Sequence, residues 1–229
     1  MKFKIIKDNF EIKDLIDYED CAGPVDKKQW KDKRSAKEFA RYMLSDNGQL
    51  PKELEDILKE YYVGETAILY PEYLTGFGEY EMTNRGPRHH DGLLVGKRYV
   101  VGIEAKADEA LDNKYLSEYD GTKLRYKNIS MNLFNDGPNN HSDIRYQLCS
   151  GSMGTLIEAV EKQKEVAIFL VISFLSKDGV KKELVNRNRK DIESFKRALI
   201  SLGNDQYETP FSKKHNIKFF FKTIEIDLD

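Results

Sequence analysis

Cysteine is scarce in this chain: there are two, Cys21 and Cys149, far apart and with no Cys or His at metal-ligand spacing around them. That excludes a disulfide framework and a structural zinc site. Long apolar runs are also missing. No segment approaches the roughly 20 residues that span a bilayer, and the start, Met1-Lys2-Phe3-Lys4-Ile5-Ile6-Lys7-Asp8, meets charge too soon for a secretory signal. The expectation is a cytoplasmic protein with no membrane partner. A formal net charge of -2 excludes a strong global pull toward nucleic acid, so contact with a polyanion requires a local basic surface or a bound cation. Internal repeats and low-complexity tracts are absent. What is present is ordinary globular composition, 40% hydrophobic and 33% charged over 229 residues, enough for one substantial core and one expected domain spanning 1–229.

The first sixteen residues lack a decisive period and read as a peripheral arm, ended by Cys21-Ala22-Gly23-Pro24. Ser35-Ala36-Lys37-Glu38 has capping-box spacing and predicts a helix to about Leu44. Pro51 and the stripe Leu54, Ile57, Leu58, Tyr61 predict a second helix ending near Gly64. Residues 66–70 read as a strand and 75–87 as an irregular connection. The polar stretch 108–143 reads as a long loop beside the site described below. Ser142 is a candidate cap for a helix carrying Ile144, Leu148, Leu156, Ile157 and Val160, in which Gly151 and Gly154 would admit a close neighbour. The continuous apolar run 166–172 is the signature of a strand covered on both faces, the best candidate for the sheet centre. A helix over 190–202 and a strand over 217–226 complete the chain.

Chemistry concentrates in two β-rich runs, 91–95 and 98–104, separated by Gly96-Lys97, whose leading Gly fits a type II′ turn. With that turn, Val95 faces Arg98, Leu93 faces Val100 and Asp91 faces Gly102. Period-two geometry then puts Asp91, Glu104 and Lys106 on one face and leaves room beside Gly102, while Ile103 points the other way into the core. Two carboxylates meeting on a sheet repel unless a cation lies between them, and carboxylates with retained water are the ligands Mg²⁺ prefers, with Mn²⁺ as an alternative. A protonated Lys106 beside them would orient water and offset charge on a phosphorane-like transition state. The bland alternative is a same-face ion pair on an exposed strand. The apolar strand, the acid in register and the Gly at the crowded position weigh against it.

Gly86-Pro87-Arg88-His89-His90-Asp91, a short strand, a tight turn and Ile103-Glu104-Ala105-Lys106 resemble the PD-(D/E)XK phosphodiesterase superfamily, which includes many restriction endonucleases. A narrower resemblance is to an uncharacterised bacterial group within it, through Trp30…Arg34-Ser35-Ala36, Glu104-Ala105-Lys106-Ala107-Asp108-Glu109, Arg145-Tyr146-Gln147-Leu148 and Ser173-Phe174. The resemblance implies an α/β fold with a restriction endonuclease-like core, a mixed four-stranded sheet flanked by helices in the order αβββαβ over about residues 50–175. A terminal arm and helix (1–49) and a helix and strand (176–229) would be additions. It also implies Asp91 and Glu104 as metal ligands and Lys106 as the catalytic lysine, with His90 standing where the superfamily often has Pro. A further acid would come from Glu65 or Glu72.

Arg88 and Arg145 are candidate phosphate contacts and Gln147 a candidate base or sugar contact, each weighed against an ordinary surface. His89 and His90 crowd the approach to Asp91 without the third ligand of a His-based metal site. The basic residues from Lys181 to Lys214 are interspersed with acids and read as a solvated face; Trp30 and Phe219-Phe220-Phe221 read as core rather than base-stacking groups. The expectation is a Mg²⁺-dependent nuclease acting on nucleic acid, with DNA favoured. Its rivals are an inactive nucleic-acid-binding module and a protein-interaction module; a homodimer stays open.

Overall fold

The computed structural model describes residues 1–24, 30–80, 86–111, 114–118, 124–176 and 182–228. Its elements run β1 (Phe3–Lys7), β2 (Phe10–Ile12), α1 (Leu15–Ala22), α2 (Ser35–Leu44), α3 (Lys52–Leu58), β3 (Ala67–Thr75), β4 (Arg88–Val95), β5 (Tyr99–Ala107), α4 (Leu124–Phe134), α5 (Tyr146–Glu161), β6 (Val166–Ser176), α6 (Lys182–Ala198), β7 (Ile200–Gly203), β8 (Gln206–Glu208), α7 (Pro210–Lys214) and β9 (Lys218–Leu228). The strands form one mixed sheet in the order β2-β1-β3-β4-β5-β6-β9-β8-β7. Inside it β5, β6 and β9 are parallel, and β3, β4 and β5 are antiparallel.

Helices cover both faces, which is why β5 is apolar up to Ile103 and β6 up to Ile172. On one face α1, α2 and α3 pack Tyr18, Phe39, Met43, Leu54 and Leu58 onto Leu69, Leu94, Val101, Ile103 and Ile168. On the other, α4, α5 and α6 pack Ile129, Met153, Leu156 and Phe195 onto Val100, Phe169, Val171 and Phe221. Among the described residues no helix is long and apolar enough to cross a membrane.

The apolar run 166–172 is interior strand β6, as its composition predicts, and α2 and β9 fall where the sequence places them; α3 ends at Leu58 rather than near Gly64, and β3 runs on to Thr75 rather than stopping at Tyr70. Other expectations are corrected. The sheet has nine strands rather than four, because the supposed arm is the β1–β2 hairpin, turned by left-handed Asp8 and Asn9 (φ 47 and 68), and β7–β8 extend the far edge. Ser35 does not cap α2: Arg34 is the N-cap, and Glu38 instead accepts from the Lys33 N–H and the Arg41 guanidinium. The polar stretch 108–143 holds α4, although residues 112–113 and 119–123 lie outside the described set. The last long helix runs over Lys182–Ala198 and gives way to β7. Arg145, not Ser142, is the N-cap of α5.

Candidate functional site

The β4–β5 hairpin is displaced by two residues from the register the turn residues suggest: Val95 pairs with Val100, Leu93 with Gly102 and Gly92 with Ile103. Gly96 is not in the left-handed region that a type II′ turn needs. It is glycine because the Tyr99 ring lies against its Cα, where a Cβ would collide. A shift of two residues preserves side-chain parity, so Glu104 and Lys106 keep the face expected of them and Ile103 is buried in the opposite layer.

Asp91 arrives by a different route. The registered pairing of β4 with β5 stops at Gly92–Ile103, while β4 continues along β3 to Arg88–Thr75 with only the Glu72–Asp91 position unpaired. At that position both strands change face. Leu69 and Leu94 pack toward α2, and a Cβ on Gly92 would meet Phe39 of α2. Beyond it, Tyr73 meets Lys162 at the end of α5, and Arg88 and His90 lie against Gly154 of α5. Glu72, left-handed at φ 46, accommodates the roll; a non-glycine residue there costs of order 1–2 kcal/mol. Freed from the ladder, the Asp91 carboxylate accepts the Ala105 N–H at 2.6 Å, between Glu104 and Lys106.

Glu104 is the hub. Its Oε1 accepts from Lys106 Nζ at 2.7 Å and Gln147 Nε2 at 2.6 Å, and its Oε2 is bonded to the Arg88 guanidinium. Burial alone would raise its pKa, but Lys106 and Arg88 outweigh burial and hold it below the usual carboxylate range. Burial pulls Lys106 down in turn, and Glu104 and Asp91 outweigh it, so its ammonium is held charged well past the ordinary lysine range. Asp91 lacks such support: burial first, then the charge of Glu104, push it up to about 8 against smaller pulls from Lys106 and the Ala105 N–H. Glu72, raised by burial and then by Glu104 against Lys7, senses the same cluster.

Gln147 and Arg88 therefore stand with the three residues that the sequence groups. Arg145 does not. It is buried in an ion pair with Asp191 (2.8 Å), bonded to the Tyr115 hydroxyl and stacked over the Tyr115 ring, so its guanidinium is spent on joining α5 to α6. Glu65 is likewise elsewhere, accepting the Val63 and Lys97 N–H groups at the opposite end of β3. The space beside Gly102 is filled: a Cβ there would overlap the Thr155 hydroxyl and touch the His90 ring. His90 is fully buried, with both ring nitrogens unpaired, and burial, then Arg88 and His89, hold its pKa well below normal. Sequence reading misses Lys7, whose ammonium donates to the Pro71 and Glu72 carbonyls at the roll; nothing in an irregular N-terminal segment signals that contact.

Among the described residues no group of three or more His, Cys, Asp or Glu side chains is arranged to hold a metal ion; the acids present are a pair, with Glu72 nearby. A small cavity on the Lys106 side is lined by Lys106, Glu109, Ser173, Asn188, Arg189 and Glu225, and neither Asp91 nor Glu104 borders it. No curated protein and no solved structure matches the chain. A family model described as "Domain of unknown function (DUF6946)" matches residues 11–227, and the chain belongs to that family.

Proposed function

We propose that this chain is a metal-dependent nuclease of the PD-(D/E)XK type that hydrolyses phosphodiesters in nucleic acid, DNA first, with Asp91 and Glu104 holding Mg²⁺ and Lys106 assisting catalysis. The observation that carries this reading is the meeting of Asp91, Glu104 and Lys106 where β4 parts from β5. The run α3, β3, β4, β5, α5, β6 supports it, since leaving aside α4 it follows the αβββαβ order of a restriction endonuclease-like core, with the remaining strands as additions.

The residues fit a divalent cation. An acid pushed up to about 8 beside a second carboxylate lacks countercharge, and Mg²⁺ accepts one or two carboxylates with water completing its shell. Bound there, it would supply Lewis-acid activation of the phosphoryl group and of a water. Lys106 is held protonated and so acts as an electrostatic donor to water and to developing phosphoryl charge, not as the base. Gln147 and Lys106 fix the Glu104 carboxylate, and Glu72, rather than Glu65, is the acid near enough to contribute. The inactive-module reading has one observation in its favour: both Glu104 oxygens are already bonded to protein donors.

Incubation with labelled single- and double-stranded DNA and RNA in Mg²⁺, Mn²⁺ or EDTA decides between them. The nuclease reading expects metal-dependent cleavage that falls by a factor of about 10² or more in Lys106→Ala, the scale of losing one well-placed electrostatic contact. Nucleic-acid binding without cleavage in any metal supports the module instead.

A further inference from the structure

We propose that Arg88 is an exchangeable counter-cation of Glu104: it holds Oε2 in the metal-free protein, yields that oxygen to the divalent cation, and turns to the substrate phosphate. This rests on the metal-centre reading of the acid pair. The two Glu104 oxygens are not equivalent. Oε1 is shared by Lys106 (2.7 Å) and Gln147 (2.6 Å), and Oε2 is bonded to Arg88. Metal ligation through Oε1 has to disturb two short contacts; through Oε2 it disturbs one.

Lys106 is poorly placed to leave: it is carried by interior strand β5, nearly buried, and bonded to Oε1 at 2.7 Å. Arg88 is better placed. Its Nε is buried with no acceptor, so the guanidinium sits in a seat that does not satisfy it, and an orphaned buried N–H costs stability. Its backbone belongs to the part of β4 that has lost its registered pairing with β5, whereas Glu104 and Lys106 are fixed in the β5–β6 ladder. A guanidinium displaced by only a few ångströms remains beside the metal, where a phosphate oxygen would meet it, and planar two-point bonding to phosphate is its best chemistry.

The test is Mn²⁺ binding by calorimetry on the full chain at pH 8.5, comparing wild type with Arg88→Met. Exchange predicts that the variant, lacking the competitor, binds Mn²⁺ about tenfold more tightly, equivalent to one ion pair no longer broken on binding. If Arg88 merely orients Glu104, the variant binds more weakly, and equal or weaker binding overturns the proposal. Because Arg88→Met leaves a buried carboxylate with fewer partners and could fail to fold, a second measurement uses wild type alone. Phenylglyoxal labelling of Arg88, followed by peptide mass analysis, should quicken several-fold on adding Mn²⁺; unchanged or slower labelling overturns the exchange. Absence of Mn²⁺ binding in wild type overturns the metal centre itself, and this inference with it.

Discussion

Replacing Asp91 by Asn removes a charge that the folded chain resists. The Asp91 carboxyl stands at about 8 where an ordinary aspartate stands at 3.8, chiefly because it is buried and then because Glu104 is negative. Between those values the folded chain keeps a proton that the unfolded chain has released. Stability attributable to this group is therefore fully present below about 3.8, declines as pH rises through the window, and stops declining above about 8. At 1.36 kcal/mol per pH unit the ceiling is roughly 5–6 kcal/mol, and residual solvent access and relaxation bring it to about 2–3 kcal/mol. Asn is neutral at every pH, matches Asp in shape, and retains an oxygen for the Ala105 N–H that Asp91 accepts at 2.6 Å. Urea unfolding in EDTA at intervals from pH 4.5 to 9 should show the two proteins nearly equal in acid. The variant should then gain by at least about 2 kcal/mol toward pH 8 and hold a constant lead beyond it. Two stability curves running parallel across that range would refute the assignment of Asp91 as an ion held against its preference.

The same proton should oppose metal binding. Mn²⁺ affinity is expected to rise nearly tenfold per unit between pH 6 and 7 and to level off above about 8, the value at which Asp91 titrates; calorimetry across pH checks this, and a flat profile counts against Asp91 as a ligand. Gly102→Ala should lose about 1–3 kcal/mol in chemical denaturation, since its methyl would enter space held by Thr155 and His90. Asp191→Ala should lose about 3–5 kcal/mol by leaving the buried Arg145 charge without its carboxylate. A loss below about 1 kcal/mol would mean that the Tyr115 ring and hydroxyl suffice to hold that guanidinium.

Legibility in the sequence followed burial. β6 and β5 announce themselves because both faces are covered, leaving unbroken apolar runs that only an interior strand would carry. The short strands toward the two ends of the sheet, β1 and β2, β7 and β8, do not: three to five residues carry too little alternation to read, and on the edge strand β7 every residue is exposed. Gly96 was legible as a turn residue but for the wrong reason, and the two-residue error left parity, and hence the Glu104–Lys106 face, intact. The roll at Glu72 and Asp91 had only an indirect signature, Pro71 and Gly92 beside it in the two strands, because Glu72, the residue held left-handed, is not a type that favours that conformation. Arg145 looked like a phosphate contact because sequence shows its charge and its helix terminus but not Asp191, which comes from α6, 46 residues further on.

The roll also makes the β3–β4 ribbon a lever. Residues 67–71 and 92–95 are clamped into the sheet, whereas 73–75 and 88–90 pair only with each other and lean on α5 through Gly154 and the Tyr73–Lys162 contact. The pivot between the halves is the pair Glu72 and Asp91. A small tilt of the outer arm is therefore geared directly into the separation of Arg88 from Glu104, while β5 and the Lys106 it carries stay still. A displacement of that arm would change the surroundings of the Glu104 carboxylate without any contact to the acids themselves.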